Sequence, residues 1–572
     1  MINKTKSKRI LFLVSFFLIL FTAFNVGAVS IGDYTDFNVD ERFEKDAKLK
    51  VSATLIKTSP NLYFYVEKNW WEAQVLVRQN EILINLNALA AEFDDTIYPT
   101  LTSVYGFEWK PGVDGDNKIT VLLHPMKEGF SGYFRTADEY IKLQTPSSNE
   151  REMLYLSTSY IDNTLKMKIF LAHEFTHLIT FNQKDRLLGV AEEVWLNEAR
   201  AEYSATILGY NSIYGGSNLQ TRVKDFLEKP SDSLTEWQES KYDYGSISLF
   251  INYLVDHYGI NMLSDSLQSK SVGIASINEI LLKNGYKDDF SQIFTYWTMA
   301  LIINDCSSDI KYCYLNKNLS GFKINPTLVF LPFSSNSSLT TTNVTKNWSG
   351  NWQKIIGGNG DLKLEFSSIS GLNFKVPYLL FDKNNKYSIE FMALDKSQKG
   401  EVTIKDFSGK YHSLIIIPSL QTKISGFNGL ELTYPYTFKV SIGEALEGGD
   451  SLIQKLLAEI ESLKNQIERL KSGNQKPSNN LCAKISSNLY FGAPNKNEVM
   501  CLQAFLKSQG ANIYPEGLIT GNFGNLTKAA VVRFQEKYKN EILTPIGLSS
   551  GTGFVGTLTR AKINSILNRP VP

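Results

Sequence analysis

His173-Glu174-Phe175-Thr176-His177 constrains this chain more than any other stretch. It lies in a run, residues 163–182, where Leu165, Ile169, Phe170, Leu171, Phe175, Leu178 and Ile179 dominate and the period is helical. A helix that apolar is largely buried. A glutamate buried on it needs a partner, or it costs about several kcal/mol. Residues four apart share one face of a helix, so both imidazoles can reach a single metal ion, with Glu174 beside them. Trp195-Leu196-Asn197-Glu198 follows, with 20 residues between His177 and Glu198, and a second helix is expected over 189–208.

Two histidines and one glutamate, with a fourth position open, is the donor set of a catalytic zinc. Glu198 is the expected third ligand, and Glu192, Glu193 and Glu202 compete with it. Glu198 and Glu202 share a helix face, whereas Glu193 lies off it. Glu202, one turn beyond Glu198, is placed to accept a hydrogen bond from a ligand imidazole. The chain has five histidines, and His124, His257 and His412 lack ligand spacing. The bland alternative is a buried helix that carries two histidines and a glutamate for packing.

At 572 residues the chain is too long for one core, so several domains are expected. Its composition, 43% hydrophobic and 20% charged with a net charge of +1, offers neither the basic field that nucleic acid demands nor an acidic excess. Lys4, Lys6, Lys8 and Arg9 precede an apolar run from Ile10 to Phe24, and Val26-Gly27-Ala28 supplies small residues. Residues 1–28 therefore read as a secretory signal cleaved after Ala28. An uncleaved anchor is the other reading, and after cleavage no membrane segment is expected. Cys306, Cys313, Cys482 and Cys501 fall as two local pairs, which in an exported chain suggests the disulfides Cys306–Cys313 and Cys482–Cys501.

The chain reads as multidomain. Residues 29–320 are expected to form an α/β domain with a helical subdomain, with strands over 50–56, 62–66, 118–124 and 153–156 and helices over 87–93, 98–105, 245–257, 276–283 and 290–304. Short strands with Gly and Asn turns over 321–445 suggest a β-sandwich accessory domain. Within 446–480, Ile453, Ile460 and Ile467 alternate with Leu456, Leu463 and Leu470 in three heptads. This short coiled coil favours a homodimer through residues 453–470, and a helical spacer is the equal alternative. A polar linker follows. Residues 481–572 read as a small all-α unit with helices over 497–509, 526–538 and 558–567.

His-Glu-Phe-Thr-His followed by Trp-Leu-Asn-Glu-x-x-x-Glu-Tyr resembles the gluzincin metallopeptidases, most closely their hyicolysin-type branch and more loosely the aminopeptidase-N family. Asn149-Glu150-Arg151-Glu152-Met153-Leu154-Tyr155 also fits that branch. The resemblance covers roughly residues 45–300 and implies a zincin-like fold. It implies Zn2+ held by His173, His177 and Glu198, and Glu174 as general base. The spacing before Glu198 is slightly longer than in the best-known members. Tyr242-Asp243-Tyr244-Gly245 looks like the Tyr-x-x-Gly stretch of aminopeptidase-N-like enzymes, which would make Tyr242 the oxyanion donor, with Tyr244 as runner-up. The alternative is an aromatic pair packing on a helix start. Gly129 to Phe134 reads either as an edge strand along a substrate cleft or as a hairpin turn.

Residues 481–572 resemble the small helical peptidoglycan-binding domain of bacterial wall enzymes. The resemblance rests on Val499-Met500-Cys501-Leu502-Gln503-Ala504-Phe505-Leu506, Gly521-Asn522-Phe523-Gly524, Ala530-Val531-Val532-Arg533-Phe534-Gln535 and Gly553-Phe554-Val555-Gly556 with Thr559-Arg560. Together the two resemblances imply a secreted zinc metalloendopeptidase with a protein or peptide substrate, tethered to the cell wall through peptidoglycan. The alternatives are a peptidoglycan cross-bridge hydrolase, an aminopeptidase, and a catalytically silent wall-binding scaffold.

Overall fold

A computed structural model describes residues 29–332, 336–427, 429–443 and 484–567. Residues 1–28, the heptads from Ile453 to Leu470, the linker after them and Cys482 lie outside the described residues. So do the expectations placed on them, the Cys482–Cys501 pairing included. Two compact units are present, Met1–Leu446 and Glu447–Pro572. The chain is multidomain, with mixed helices and sheets and a small helical unit at its end. Among the described residues no helix is long and apolar enough to cross a membrane.

The first unit begins with six strands: β1 (Tyr34–Asn38), β2 (Lys50–Thr58), β3 (Leu62–Glu67), β4 (Ile119–His124), β5 (Gly132–Phe134) and β6 (Met153–Ser157). They form one sheet in the order β1-β2-β3-β4-β6-β5. β3, β4 and β6 run parallel, and β5 returns antiparallel on β6 as an edge strand. Both faces are covered, so β4 reads as a continuous apolar run rather than an alternating one. Leu62, Phe64, Val121, Leu123, Leu154 and Leu156 enter the large core under the helices, whereas Tyr65, Leu122, Met153 and Tyr155 point into a smaller cluster with Phe37 and Tyr133.

Helices α1 (Lys68–Glu72), α2 (Leu76–Glu92) and α3 (Tyr98–Tyr105) follow β3. After β6 come α4 (Thr164–Thr180), α5 (Val194–Ile207), α6 (Asn218–Glu228), α7 (Lys241–Tyr258), α8 (Asn261–Leu267), α9 (Gly273–Lys283) and α10 (Phe290–Ile303). Asn163 caps α4 by accepting from the Lys166 N–H, and Ser240 forms a capping box with Asp243 at the start of α7. Cys306 and Cys313 are joined by a disulfide just after α10.

Residues 327–442 form two packed sheets. One has the strands Lys399–Ile404, Leu362–Ser368, Tyr434–Ile442 and Ser338–Thr345, in that order. The other has Tyr387–Phe391, Pro377–Asp382, Tyr411–Ile416, Gln353–Gly357 and Thr327–Leu331. Leu364, Phe366, Phe438, Val440, Leu414 and Ile416 fill the space between them. This sandwich shares core with the helices. Trp348 stacks edge-on against Phe290 and Phe294 at 5.0 and 5.4 Å, and Trp352 Nε1 donates to the Thr298 carbonyl at 2.8 Å.

The last unit carries helices Lys496–Ser508, Asn525–Lys537 and Thr557–Leu567 around Leu502, Phe505, Phe523, Phe534 and Val555. It contains an internal repeat in its hydrogen bonding. Gln503 Nε2 donates to the Asn522 carbonyl (2.9 Å) and Thr527 Oγ1 (3.0 Å), and its Oε1 accepts from the N–H groups of Thr520 and Gly521. Gln535 does the same with the Phe554 carbonyl (2.9 Å), Thr559 Oγ1 (3.0 Å), Thr552 and Gly553. Each buried amide thus replaces the water that its glycine loop would otherwise need. Replacing Gln503 or Gln535 with Ala orphans two loop N–H groups, which predicts a loss of about 2–3 kcal/mol in the unfolding of this unit. Denaturant titration of the full chain, followed at a probe in residues 484–567, measures it; an unchanged midpoint would contradict the assignment.

Candidate metal centre

α4 packs on the sheet beside β5 and β6, and α5 packs across α4. The crossing brings His173, Glu174 and His177 of α4 against Asn197, Glu198 and Glu202 of α5. Nε2 of His173 and Nε2 of His177 lie 3.1 Å apart. Glu198 Oε2 is 3.2 Å from the first and 3.6 Å from the second. Among the described residues this is the one set of three His, Cys, Asp or Glu side chains whose donor atoms all lie within 4.8 Å of one another.

Both imidazoles are held from behind. Asn197 Oδ1 meets His177 Nδ1 at 3.1 Å, which turns Nε2 toward the centre. Glu202 Oε1 lies 3.5 Å from His173 Nδ1 and does the same for the other ring. Arg222 of α6 fixes Glu202 through two bonds, 2.8 Å to Oε2 and 2.7 Å to Oε1, and Asn218 and Ser248 also donate to Oε2 at 2.9 and 3.2 Å. α6 and α7 approach closely enough for this because residue 245 is glycine: a Cβ there would lie 2.7 Å from the Phe226 nitrogen.

The electrostatics follow from burial and neighbours. Burial raises the Glu174 carboxyl above its ordinary range, against the pull of the two imidazoles. Burial opposes ionisation of Glu198 too, but His177 and His173 overcome it and hold that carboxylate well below the usual range. His177, despite its burial, is raised to about 9 by Glu198. Glu198 Oε2 is buried and meets only the two imidazole nitrogens. Two imidazole nitrogens and a buried carboxylate oxygen converging on one point are a donor set that fits a divalent cation of the zinc class.

The competing carboxylates are engaged elsewhere. Glu192 pairs with Arg200 at 2.8 Å and Lys184 at 3.5 Å in a fully buried triad. Glu193 accepts from Trp195 Nε1 and from the Gly426 N–H of the sandwich, each at 2.8 Å. Glu202 is taken by Arg222.

Of the two candidate tyrosines, Tyr244 lines the cleft and Tyr242 does not. Tyr242 and Tyr244 are two residues apart on α7, so they face nearly opposite ways. Tyr242 sits between Lys229 and Lys241, and its hydroxyl is 3.5 Å from Glu228. Tyr244 lines the cleft, its ring 6.5 Å from that of His173, packed edge-on to Trp237 (4.9 Å) and under the Arg222 guanidinium (4.5 Å).

The cleft around the cluster has a volume of about 430 Å³. Gly129 to Phe134 forms one wall, and residues 132–134 are the edge strand β5. Gly132 is required there, since a Cβ would lie 2.7 Å from the Tyr155 carbonyl and 3.1 Å from Glu174 Oε1. Behind β5 the rings of Phe43, Tyr133 and Tyr155 stack at 4.4 and 4.2 Å.

Arg222 and Asn218 were not singled out in the sequence. The signal existed: Leu219, Val223 and Phe226 recur at helical spacing, and Ser217 is a good cap that accepts from the Gln220 N–H.

Replacing Arg222 with Met strands the buried Glu202 carboxylate. The expected cost is about 3–5 kcal/mol of unfolding free energy, most of it recovered by adding Glu202→Gln. Thermal and denaturant unfolding of the single and double variants check this; equal losses in both would show that the pair is not coupled.

Comparison with known proteins adds one assignment. Residues 495–541 match the family model of the putative peptidoglycan binding domain. No curated protein matches the chain. Similar solved structures include a mitogen derived from Yersinia pseudotuberculosis (13% identity, 20% of this chain, 92% of that chain, TM-score 0.15). Another is the pre-peptidase C-terminal domain of a Bacillus anthracis collagenase (7% identity, 20% of this chain, 96% of that chain, TM-score 0.15). A third is the periplasmic g-type lysozyme inhibitor PliG of Aeromonas hydrophila (10% identity, 21% of this chain, 99% of that chain, TM-score 0.14). Likenesses at such TM-scores carry no argument about fold or activity.

Proposed function

We propose that this chain is a secreted, zinc-dependent metalloendopeptidase of the gluzincin type, held at the bacterial cell wall by its peptidoglycan-binding domain. The observation that carries the reading is the convergence of His173 Nε2, His177 Nε2 and Glu198 Oε2 beside a buried Glu174, in a cleft walled by an edge strand. His173, His177 and Glu198 would hold a zinc ion, which would supply a Lewis acid and lower the pKa of a water.

The protein's own groups account for the remaining steps. The free edge of β5 pairs with an extended peptide and lays its scissile carbonyl beside Glu174. Glu174 accepts a proton from the attacking water and passes it to the departing amine nitrogen. The Tyr244 hydroxyl donates to the oxygen on which charge develops. Glu202, locked by Arg222, and Asn197 keep the two imidazoles facing the centre.

Hydrolysis of casein or mixed peptides by the full-length protein with added zinc tests this, beside three variants. Glu174→Gln is expected to lower kcat by about 10²–10⁴-fold while retaining one zinc per chain by elemental analysis. His173→Ala is expected to lose the metal. Tyr244→Phe should lower kcat by about 10²–10³-fold, whereas Tyr242→Phe leaves it unchanged. Equal turnover by wild type and Glu174→Gln would sink the proposal.

The wall-binding domain favours a second reading, a hydrolase of peptidoglycan cross-bridges. Release of soluble fragments from purified wall, with casein untouched, would select it. Inactivity of folded, metal-loaded protein on both would leave a wall-binding scaffold.

A further inference from the structure

The small helical unit carries an internal control for which side chains its fold requires. Its two glutamine-bound loops are one structure built twice. The carbonyls of Asn522 and Phe554 each accept from a glutamine Nε2, and the N–H of each donates at 3.2 Å to the threonine Oγ1 two residues earlier. One loop works with asparagine at that position, so the loop itself makes no demand for an aromatic ring there. The other loop has phenylalanine, and its ring does not fill the core. Phe554 is 43% exposed, whereas the next residue in each loop, Phe523 or Val555, is fully buried.

A second exposed ring meets it. The segment before Lys496–Ser508 ties the two loops together. Leu489 exchanges both backbone bonds with Val555, at 3.3 and 2.8 Å, and the Gly492 N–H donates to the Phe523 carbonyl at 3.0 Å. Between these anchors Tyr490 and Phe491 turn outward, 48% and 58% exposed. The rings of Tyr490 and Phe554 lie 6.3 Å apart, centre to centre, with their planes within 21° of parallel. The pair is therefore carried on a hydrogen-bonded frame, and rings left half in water at one spot mark a surface that something covers.

We propose that the Tyr490–Phe554 pair is the platform on which this unit takes the glycan strand of peptidoglycan, rather than its stem peptide. The proposal rests on the wall-binding reading of the unit and adds to it a surface and a chemical class of ligand. Both rings lie outside the stretch matched by the family model, residues 495–541, so the platform belongs to this chain's own loops. A pyranose presents a face of C–H bonds, which packs on the electron-rich face of an aromatic ring. Tyrosine and phenylalanine, with two side-chain torsions each, give that contact at little entropic cost. The Tyr490 hydroxyl can in addition donate to or accept from a sugar hydroxyl. Near-parallel planes let neighbouring sugars lie along one strip, and 6.3 Å is close to the step from one sugar to the next in an extended glycan. A stem peptide asks for something else: its carboxylates and amines bind best to charged partners, which ring faces do not supply.

Co-sedimentation of the full-length protein with purified sacculi tests the platform, with Glu174→Gln in every sample so that no wall is consumed. Phe554→Asn, which copies the other loop, and Tyr490→Ala are each expected to weaken binding about tenfold, and the double variant further. Their thermal midpoints should match the parent's, since neither ring is core. Tyr490→Phe and Phe554→Tyr, which keep the rings, should bind as the parent does. Glycan strands stripped of stem peptide by an amidase should compete with the sacculi, and soluble stem peptides should not. The proposal is overturned if Phe554→Asn and Tyr490→Ala sediment like the parent, if binding falls only together with the midpoint, or if stem peptides compete and bare glycan does not. A parent that stays in solution would sink the wall-binding reading and the platform with it, whereas full binding by the ring variants would strike the platform alone.

Discussion

The ion pair between Glu202 and Arg222 is the constraint on which the centre depends. It spans α5 and α6, and through His173 it reaches α4. A carboxylate with little access to water is unfavourable alone. Here it is surrounded by a guanidinium and an amide from α6 and a hydroxyl from α7. The three helices are therefore locked in one arrangement, and only in that arrangement do the two imidazoles and Glu198 meet. Gly245 belongs to the same device, since it permits the close approach of α6 and α7 that carries Arg222 to its partner.

Much of this was legible in the sequence. The apolar period around the motif predicts a buried helix over 163–182, and α4 spans Thr164–Thr180. The histidines and Glu198 meet because helical spacing and a second amphipathic helix leave few other outcomes. What the sequence did not give away was orientation. Tyr242 and Tyr244 look alike in a string of letters, and only the starting point of α7 decides which faces the cleft. The same limit hid Arg222: its helix has an apolar stripe, but nothing in the stripe says what the polar face will touch. The strand Ser338–Thr345 escaped notice because it is an edge strand rich in Ser and Thr, with little burial to leave an alternating signal. The choice of Glu198 over Glu192 and Glu193 likewise rests on tertiary partners, a buried Lys184–Arg200 pair that closes on Glu192 and a sandwich N–H, from Gly426, that reaches Glu193.

In the last unit, local and global signals agree more fully. The three helices fall close to their expected places because Leu-Gln and Phe-Gln pairs, glycine loops and the threonines that accept from those glutamines repeat at the same offset. Gln503 and Gln535 look like ordinary polar residues on amphipathic helices, yet each is buried and serves one glycine loop. Pattern alone locates the helices, and the hydrogen-bond account of the loops explains why glutamine rather than leucine occupies those two positions.

The tryptophans that seat the sandwich on α10 bear on how this protein can evolve. Domains that travel between genes carry their own sealed surfaces, so that they may be cut out and inserted elsewhere. The helical part of the first unit lacks such a seal: without Trp348 and Trp352 the rings of Phe290 and Phe294 face water. Recombination near residue 320 would thus break a single core. The heritable module is the stretch from the first sheet to the end of the sandwich, and variation in the sandwich is transmitted to α10 through packing rather than through a tether.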